Sequence, residues 1–247
     1  MKRIVFLLLT VILLISCTFE KTPETAQEII DKSIEVSQTD KLANATLAFD
    51  FRDRRYVADR NNGAFRLERI ATNGSEVLKD VLSNDGFQRL LNDEPFQVPD
   101  SMAVKYSESV NSVHYFSVLP FGLNDGAVNK KLLPEVTIKG KKYLKVEVTF
   151  DQNGGGVDFE DVFVYWINKE TFKVDYLAYL FHINGGGIRF REVSKEHLID
   201  GVRLVDYNNY KPNNKEIDVR DMDKAFDNDQ LTKVSEINMD NINIKLR

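Results

Sequence analysis

The residue types that most often carry out chemistry are few in this sequence and stand far apart. Its three histidines are His114, His182 and His197, and no two of them form the His-x-x-x-His pair by which a helix presents two ligands to zinc. No Gly-x-Ser-x-Gly sequence places a serine nucleophile on a sharp turn. The histidines thus favour neither a catalytic triad nor a metal centre, and we expect no catalytic residue, no metal and no cofactor.

An acidic stretch from 151 to 161 is the other candidate for chemistry. Its oxygens are of the type that binds calcium, but Val162 stands where an EF-hand loop has its bidentate glutamate. Glycoside hydrolysis needs two carboxylates that face each other across a cleft, and the sequence singles out no such pair among Glu147 and this stretch. We therefore interpret the stretch as a solvated turn and keep a hydrolase of envelope glycan only as a third hypothesis.

Aromatic residues are abundant, with 16 Phe, 9 Tyr and 1 Trp, and they crowd two neighbouring apolar segments, 162–167 and 174–181. Each aromatic side chain that becomes buried removes about 150–250 Å² from water. Two interpretations stay open: an ordinary core between a sheet and a helix, or a partly open apolar cavity.

The segment from 145 to 191 predicts four consecutive antiparallel strands. Residues 145–150 alternate between apolar and polar, and glycine triplets at 154–156 and 185–187 predict turns. The segments 162–167 and 174–181 are apolar at both parities, which is typical of strands buried on both faces. Some other element must therefore cover the second face of the sheet.

Two helices are predicted before this meander. Thr25 and Glu28 match a capping box and begin a helix that ends near Asp40. Apolar residues then recur every three or four positions through a segment that predicts a second helix over 101–119, with Asp100 and Ser101 as its N-cap region. The apolar loop 119–123 that follows is interpreted as a plug on the core or as the lip of a cavity.

Length and patterning together predict one domain over residues 23–247. Further strands are expected near 45–51, 64–70 and 202–207, and a last one over 234–246, whereas the polar segment 208–229 is expected to be a long surface loop. The predicted fold class is α+β, mostly β: a curved antiparallel sheet, or half-barrel, with one or two helices covering its concave face.

Charge bears on the partners. The net charge of −5 argues against nucleic acid, which favours a basic surface. Seven arginines nevertheless lie between Arg52 and Arg89. They favour a solvated outer face with local charge pairs, and an anion or lipid-headgroup site is the alternative.

The N-terminus predicts a lipid anchor. Lys2 and Arg3 precede an apolar run from 4 to 15, and the run ends in Leu-Ile-Ser-Cys at Cys17, which resembles the bacterial lipobox. The resemblance implies a signal peptide at 1–16, lipid attachment at Cys17 and a lipidated tether at 17–22. Cys17 is also the single cysteine, so disulfides within the chain are excluded.

The residues after Cys17 bear on location. Thr18 stands where some inner-membrane lipoproteins have a retaining aspartate, and no acidic run that resembles a surface-export tag follows. We expect a protein of the bacterial cell envelope, held in the outer membrane by its lipid and facing the periplasm. The expected partners are this membrane and an apolar ligand; no protein partner is indicated.

One resemblance concerns the fold. The string Tyr-Trp-Ile-Asn-Lys-Glu-Thr at 165–171, followed by Val174 and Asp175, is similar to a hairpin of the LolA/LolB-like lipoprotein-carrier superfamily, although Asn168 replaces its usual aspartate. The resemblance implies a half-open sheet whose concave apolar side is closed by helices, in proteins that bind acyl chains or act as envelope sensors.

A second resemblance spans more of the chain. The strings at 119–125, 148–156 and 185–191 look like recurrent strings of an uncharacterised family of Bacteroidota envelope lipoproteins. That family brings no established activity with it.

These observations favour a non-enzymatic lipoprotein that binds an apolar ligand, an acyl chain or other lipid, in the concavity of the sheet. We expect the pocket beneath the second helix, with Phe116 or Phe121 near its mouth. The predicted ligand-binding residues are Phe116, Leu119, Phe121, Trp166, Tyr179 and Phe181. The alternative is an envelope interaction or scaffold module with a closed core and no small ligand.

Overall fold

The computed structural model describes residues 25–156, 159–182 and 185–247. The predicted signal peptide, Cys17 and the tether lie outside the described residues, as does Asp158 of the acidic stretch. The described part is mostly β, with antiparallel strands that do not close into a barrel and with three α-helices, so the predicted α+β fold class is confirmed.

The strands form two seven-stranded sheets, in which every neighbouring pair is antiparallel. The first sheet has the order β14 (Asp240–Leu246), β1 (Asn44–Phe51), β2 (Arg54–Asn61), β3 (Ala64–Asn73), β4 (Glu76–Ser83), β5 (Gly86–Leu91) and β6 (Glu94–Pro95). The second sheet has the order β13 (Leu231–Ile237), β12 (Val202–Pro212), β11 (Gly187–Ile199), β10 (Val174–Phe181), β9 (Val162–Asn168), β8 (Lys141–Phe150) and β7 (Val128–Ile138).

The last predicted strand is in fact two strands in different sheets. β13 pairs with β12 and β14 pairs with β1, so the chain crosses from the second sheet to the first between them. At this crossing Met239 is buried, and its backbone N–H donates to the Asp206 carboxylate at 2.8 Å. The alternation of apolar and polar residues continues through this segment, so it did not indicate the break between the two strands. The break depends on Asp206, which is distant in the sequence.

Helix α1 (Ala26–Ser37) begins as predicted. The Thr25 side chain accepts from the backbone of Glu28, and the Glu28 carboxylate accepts from the backbone of Thr25, which satisfies donors that a helix start leaves free. The helix ends at Ser37, since Gln38 adopts a left-handed conformation with φ 53°, and a short 3-10 turn (Thr39–Ala43) leads into β1. Ile29 and Ile30 are fully buried against the second sheet.

Helix α2 (Asp100–Ser117) lies between the two sheets. Pro99 rather than Asp100 occupies its N-cap position and makes no side-chain cap, so the predicted cap is wrong by one residue. On one side Val110 and Val113 pack with the core of the first sheet, and further along Tyr115 and Phe116 pack with the core of the second.

A buried charge cluster fastens α2 to the first sheet. Asp80 accepts hydrogen bonds from both Arg69 and Arg89, and the Arg89 guanidinium carbon lies 3.6 Å from the centre of the Tyr106 ring on α2. Burial opposes ionisation of Asp80, but the two arginines outweigh it and lower the pKa of that carboxyl. The predicted solvated arginine face is therefore wrong for Arg69, which is buried and also donates to Ser109.

The far face of the second sheet has a cover of its own, as its apolar strands require. A 3-10 turn (Val219–Asp221) and helix α3 (Met222–Asp227) lie where we expected a surface loop. Val219 and Met222 are buried there, and the Phe226 ring packs beside them on the sheet. The prediction of a loop over 208–229 is wrong. The segment is mostly polar, and its few apolar residues become ordered because they pack against the sheet.

Candidate functional site

A cavity of about 420 Å³ lies between α2, strand β1 and the near face of the second sheet. Aromatic rings reach it from three directions: Phe49 and Phe51 from β1, Phe116 from α2, and Phe163 and Tyr179 from the second sheet. The predicted cavity beneath the second helix is therefore present.

The register of the second sheet creates the aromatic wall. Phe163 on β9 is directly paired with Tyr179 on β10, so both side chains project from the same face. Their rings stack with centroids 5.4 Å apart, and the Phe116 ring from α2 lies 4.9 Å from Tyr179 and 5.9 Å from Phe163. Such pairs stabilise by about 0.5–1.5 kcal/mol beyond the area they bury, so these contacts favour the observed arrangement of the wall.

Arg191 on β11 brings a positive charge into this wall. The residue is 8% exposed and lines the cavity, and its guanidinium carbon lies 3.7 Å from the centre of the Phe116 ring. One of its N–H groups donates to the Tyr179 hydroxyl at 3.1 Å. Our sequence prediction missed Arg191. Arg189 pairs with Tyr179 on β10, and strand alternation puts Arg191, two residues further on, on the same face of the sheet as both.

The deeper wall is otherwise uncharged. Tyr115 lines the cavity, and its hydroxyl shares a hydrogen bond at 3.1 Å with that of Tyr165, which does not line it; burial raises the pKa of both phenols. Burial likewise raises the pKa of Tyr207, against the effect of the nearby Arg191. The two tyrosines that line the cavity here, Tyr115 and Tyr207, stay protonated at neutral pH and contribute hydroxyl groups rather than charge.

The rim of the cavity carries polar groups. Asp161 lines it and lies 3.3 Å from His182 Nδ1, and the Arg189 guanidinium carbon lies 5.2 Å from the centre of the Phe181 ring. Gly155 also lines the cavity, and a Cβ at that position would stand 2.2 Å from the Asp151 carbonyl oxygen. Only glycine allows the loop to pack this closely, so the rim is built around that position.

Family membership is settled by sequence. A family model described as a family of unknown function, DUF6503, matches residues 1–239. The chain belongs to DUF6503. No curated protein matches this DUF6503 chain.

Three solved structures are distantly similar to the DUF6503 chain. A DUF1329 family protein from Desulfovibrio piger is 14% identical, with 89% of this chain and 93% of that chain covered and a TM-score of 0.43. A domain described as an outer membrane lipoprotein-sorting protein from Vibrio parahaemolyticus is 10% identical, with 87% and 93% covered and a TM-score of 0.41. The Mycobacterium tuberculosis lipoprotein LppX is 13% identical, with 66% and 91% covered and a TM-score of 0.28. At these low scores the likenesses establish no shared function.

The DUF6503 structure brings three of the six predicted ligand-binding residues together. Phe116, Tyr179 and Phe181 line the cavity. Leu119 does not, since it is buried in the core that the second sheet forms with α1. Phe121 packs with the core of the first sheet, with the Arg60 guanidinium carbon 5.3 Å from the centre of its ring.

Trp166 lies on the opposite face of the second sheet and does not line the cavity. It is fully buried, as predicted, and its ring packs 5.6 Å from that of Phe190. Its neighbour Tyr165 faces the cavity side, and successive strand residues point to opposite faces. The placement of Trp166 on the cavity wall is therefore corrected, because strand parity sends it to the α3 side.

The three histidines lie in separate environments. His114 on α2 is fully buried and its neutral ring donates from Nε2 to the Glu68 carbonyl at 3.0 Å. His182 lies 3.3 Å from Asp161, which lines the cavity, and His197 Nε2 lies 2.9 Å from the Asp206 carboxylate. Within residues 25–156, 159–182 and 185–247, no three His, Cys, Asp or Glu side chains converge as metal ligands.

Among the described residues, no helix is both long enough and apolar enough to cross a membrane.

Proposed function

We propose that this DUF6503 protein is a non-enzymatic lipoprotein of the bacterial envelope that binds an apolar ligand, such as an acyl chain, in the cavity beneath α2. The cavity carries the proposal. Its volume of about 420 Å³ falls within the range of about 300–1,000 Å³ that is usual for ligand pockets. A closed protein core, in contrast, holds few voids larger than a water molecule.

The lining supports an acyl chain as the ligand class. Phe49, Phe163 and Tyr179 offer apolar ring surface, and transferring a methylene group from water to such surroundings gains about 0.8 kcal/mol. The few polar groups, chiefly Arg191 and the tyrosine hydroxyls, can orient one end of the ligand. Few polar groups in an otherwise apolar pocket are typical of sites that bind small molecules.

The N-terminus supports the location. Diacylglyceryl transfer to Cys17 and cleavage before it would leave a mature chain anchored by its lipid, and two or more acyl chains hold a protein stably at a membrane. The absence of aspartate at Thr18 favours the outer membrane, facing the periplasm. The likeness to Bacteroidota envelope lipoproteins agrees with this placement.

The proposal is tested with a fluorescent fatty acid and the mature-length chain, residues 17–247 carrying Cys17→Ser, which retains every described residue. We expect the probe to bind at micromolar concentration. Ser112 is exposed on α2 and lines the cavity, so Ser112→Trp places a large ring at the mouth with little change to the core. It should weaken binding about tenfold, or about 1.4 kcal/mol.

Val104→Trp is the matched control, because Val104 is exposed on the same helix away from the cavity. Its affinity for the probe should equal that of the parent chain. Absence of binding in the parent chain would overturn the proposal and favour an interaction module instead.

A further inference from the structure

Arg191 is an unusual residue to find in an apolar wall. It is 8% exposed, and its guanidinium carbon lies 3.7 Å from the centre of the Phe116 ring, 5.3 Å from Tyr179 and 5.7 Å from Tyr207. Three aromatic rings therefore surround a charge that water scarcely reaches.

The hydrogen bonds of Arg191 are incomplete. A guanidinium carries five N–H donors, and among the described residues the Tyr179 hydroxyl is its single side-chain acceptor. Its Nε is buried without a hydrogen-bond partner. No carboxylate of the described ranges comes within ion-pair distance of it; Asp161, which also lines the cavity, pairs with His182.

Other buried cations of the chain are treated differently. Arg69 pairs with Asp80, Lys145 with Asp223 at 3.0 Å, and Arg203 with Glu196 at 2.8 Å. Of the four buried lysines and arginines in the described ranges, Arg191 alone faces a cavity and has no carboxylate beside it. The other three thus each have a carboxylate partner. Arg60 on β2, which is partly exposed, also has no carboxylate partner among the described residues, but it lies beside Phe121 and does not line the cavity.

The aromatic rings do not replace a counter-ion. Cation–π contacts offset part of the free-energy cost of removing a charge from water. That cost exceeds what such contacts supply, and it is offset only by a well-placed counter-ion and by hydrogen bonds. A carboxylate is the group whose two oxygens match the guanidinium donors in pairs.

We propose that the ligand is a monoanionic amphiphile, whose carboxylate pairs with Arg191 while its chain fills the aromatic cavity. The inference rests on the proposed function and names the ligand class of the same site. The Arg191 guanidinium carries one positive charge, which a head group with one negative charge neutralises. A doubly charged phosphate head would need a second cation. Arg189 also lines the cavity, but its guanidinium lies against the Phe181 ring and donates to the Ile188 carbonyl.

The test compares three ligands of equal chain length: dodecanoate, dodecan-1-ol and methyl dodecanoate. Calorimetric titration of the mature-length Cys17→Ser chain should show dodecanoate binding about tenfold to a hundredfold more tightly than the two neutral compounds, as expected when a charged hydrogen-bond pair is gained. This comparison in the unmutated site does not depend on any variant folding.

Variants then assign the preference to Arg191. Arg191→Met should bind all three compounds about equally, at the affinity that the parent chain has for dodecan-1-ol, and Arg191→Lys should keep part of the preference. Arg66→Gln is the control for loss of one positive charge, because Arg66 is exposed on the first sheet and pairs with Glu68. It should keep the full preference.

The outcomes separate the two proposals. Equal binding of dodecanoate and dodecan-1-ol by the parent chain would overturn the role of Arg191 and leave the apolar site standing. A carboxylate preference that survives in Arg191→Met would also overturn it. Binding of none of the three compounds would overturn both.

Discussion

The two faces of the second sheet are made by the same strands, yet the helices that cover them pack differently. On the far face, α3 seats Phe226 against Tyr176, Phe190 and Tyr210, with ring centroids 4.9–5.6 Å apart, so the rings are packed beneath this helix. A second cavity, of about 770 Å³, lies on the same face beside the Val219–Asp221 turn, and charged residues such as Lys215, Glu216 and Asp218 are part of its lining. On the near face, α2 brings Phe116 to the sheet but leaves a cavity of about 420 Å³. Apolar residues at both parities therefore require two covers, but the fit of each cover decides whether a core or a pocket results.

The same contrast holds for charge. On the far face, Lys145 lies 5.4 Å from the centre of the Trp166 ring and is paired with Asp223 and with the Arg220 carbonyl. On the near face, Arg191 lies against Phe116 with no carboxylate among its described neighbours. A paired cation belongs to a finished core, and an unpaired one at a cavity points to something bound there.

The largest effect on stability should come from the packed core beneath α3. Trp166→Ala removes a fully buried ring that β9 contributes to the core beneath α3, and it should lower the free energy of unfolding by about 3–5 kcal/mol. Denaturant unfolding measures this. Leu198→Ala is the control, since Leu198 is 74% exposed on β11 and should change little. A midpoint for Trp166→Ala within error of the parent would show that the far face is not a packed core.

Breaking the charge pair of the same face should cost slightly less. Asp223→Asn leaves the Lys145 ammonium buried without its carboxylate and should lower the free energy of unfolding by about 3 kcal/mol. The double change with Lys145→Met should recover much of this loss, because no charge is then buried. A double variant as unstable as the sum of its two single variants would contradict the account.

Helix α2 crosses from a filled core to the cavity, and His114 reports on its filled side. Burial lowers its pKa to about 4 from 6.5, against the hydrogen bond to Glu68 and with a further lowering by Arg60. Above pH 6.5 the ring is neutral in both folded and unfolded chains, and its folding contribution is complete. As the pH falls from 6.5 toward 4 the unfolded chain binds the proton first, so stability falls by about 3 kcal/mol.

The pH dependence is isolated with His114→Gln. Unfolding free energies measured at several pH values between 4 and 7 should fall more steeply with acid in the parent than in this variant. Equal slopes would mean that His114 is not buried as a neutral ring.

The smallest effect on stability is expected at Arg191. Arg191→Met removes a buried charge that has no carboxylate in the described chain, so the ligand-free protein should change by no more than about 1 kcal/mol, or become more stable. Denaturant unfolding without ligand, beside Asp223→Asn, sharpens the contrast between the faces. A loss at Arg191 as large as that at Asp223 would make Arg191 a structural residue.

Local signals predicted much of the fold. The capping box of Thr25 and Glu28 and the alternation within β8 depend on neighbours in sequence, so they can be read without the tertiary structure. Helix α3 and the crossing at Met239 could not be predicted in this way. Their stability comes from the sheet face that Val219 and Met222 cover and from the Asp206 carboxylate, which are distant in sequence.

The site was predicted only in part, because some of its residues are placed by local sequence patterns and others by contacts distant in sequence. Spacing placed Phe116 on the sheet side of α2, and apolar strands placed Tyr179 under it. Trp166 and Phe121 could not be assigned, because strand parity and the packing of a loop are settled only when the partners are known. Strand alternation could have indicated that Arg191 points toward the core. That no described carboxylate lies beside it, in contrast, depends on the tertiary structure.

The central claim is that the cavity beneath α2 holds an apolar ligand in the native protein. The most direct measurement is native mass spectrometry of the full chain, expressed with its own N-terminus and extracted from the envelope. We predict a non-covalent adduct of lipid mass, separate from any lipid on Cys17, whose occupancy falls in Ser112→Trp and not in Val104→Trp. A protein that never carries such an adduct, even after incubation with excess dodecanoate, would contradict the account.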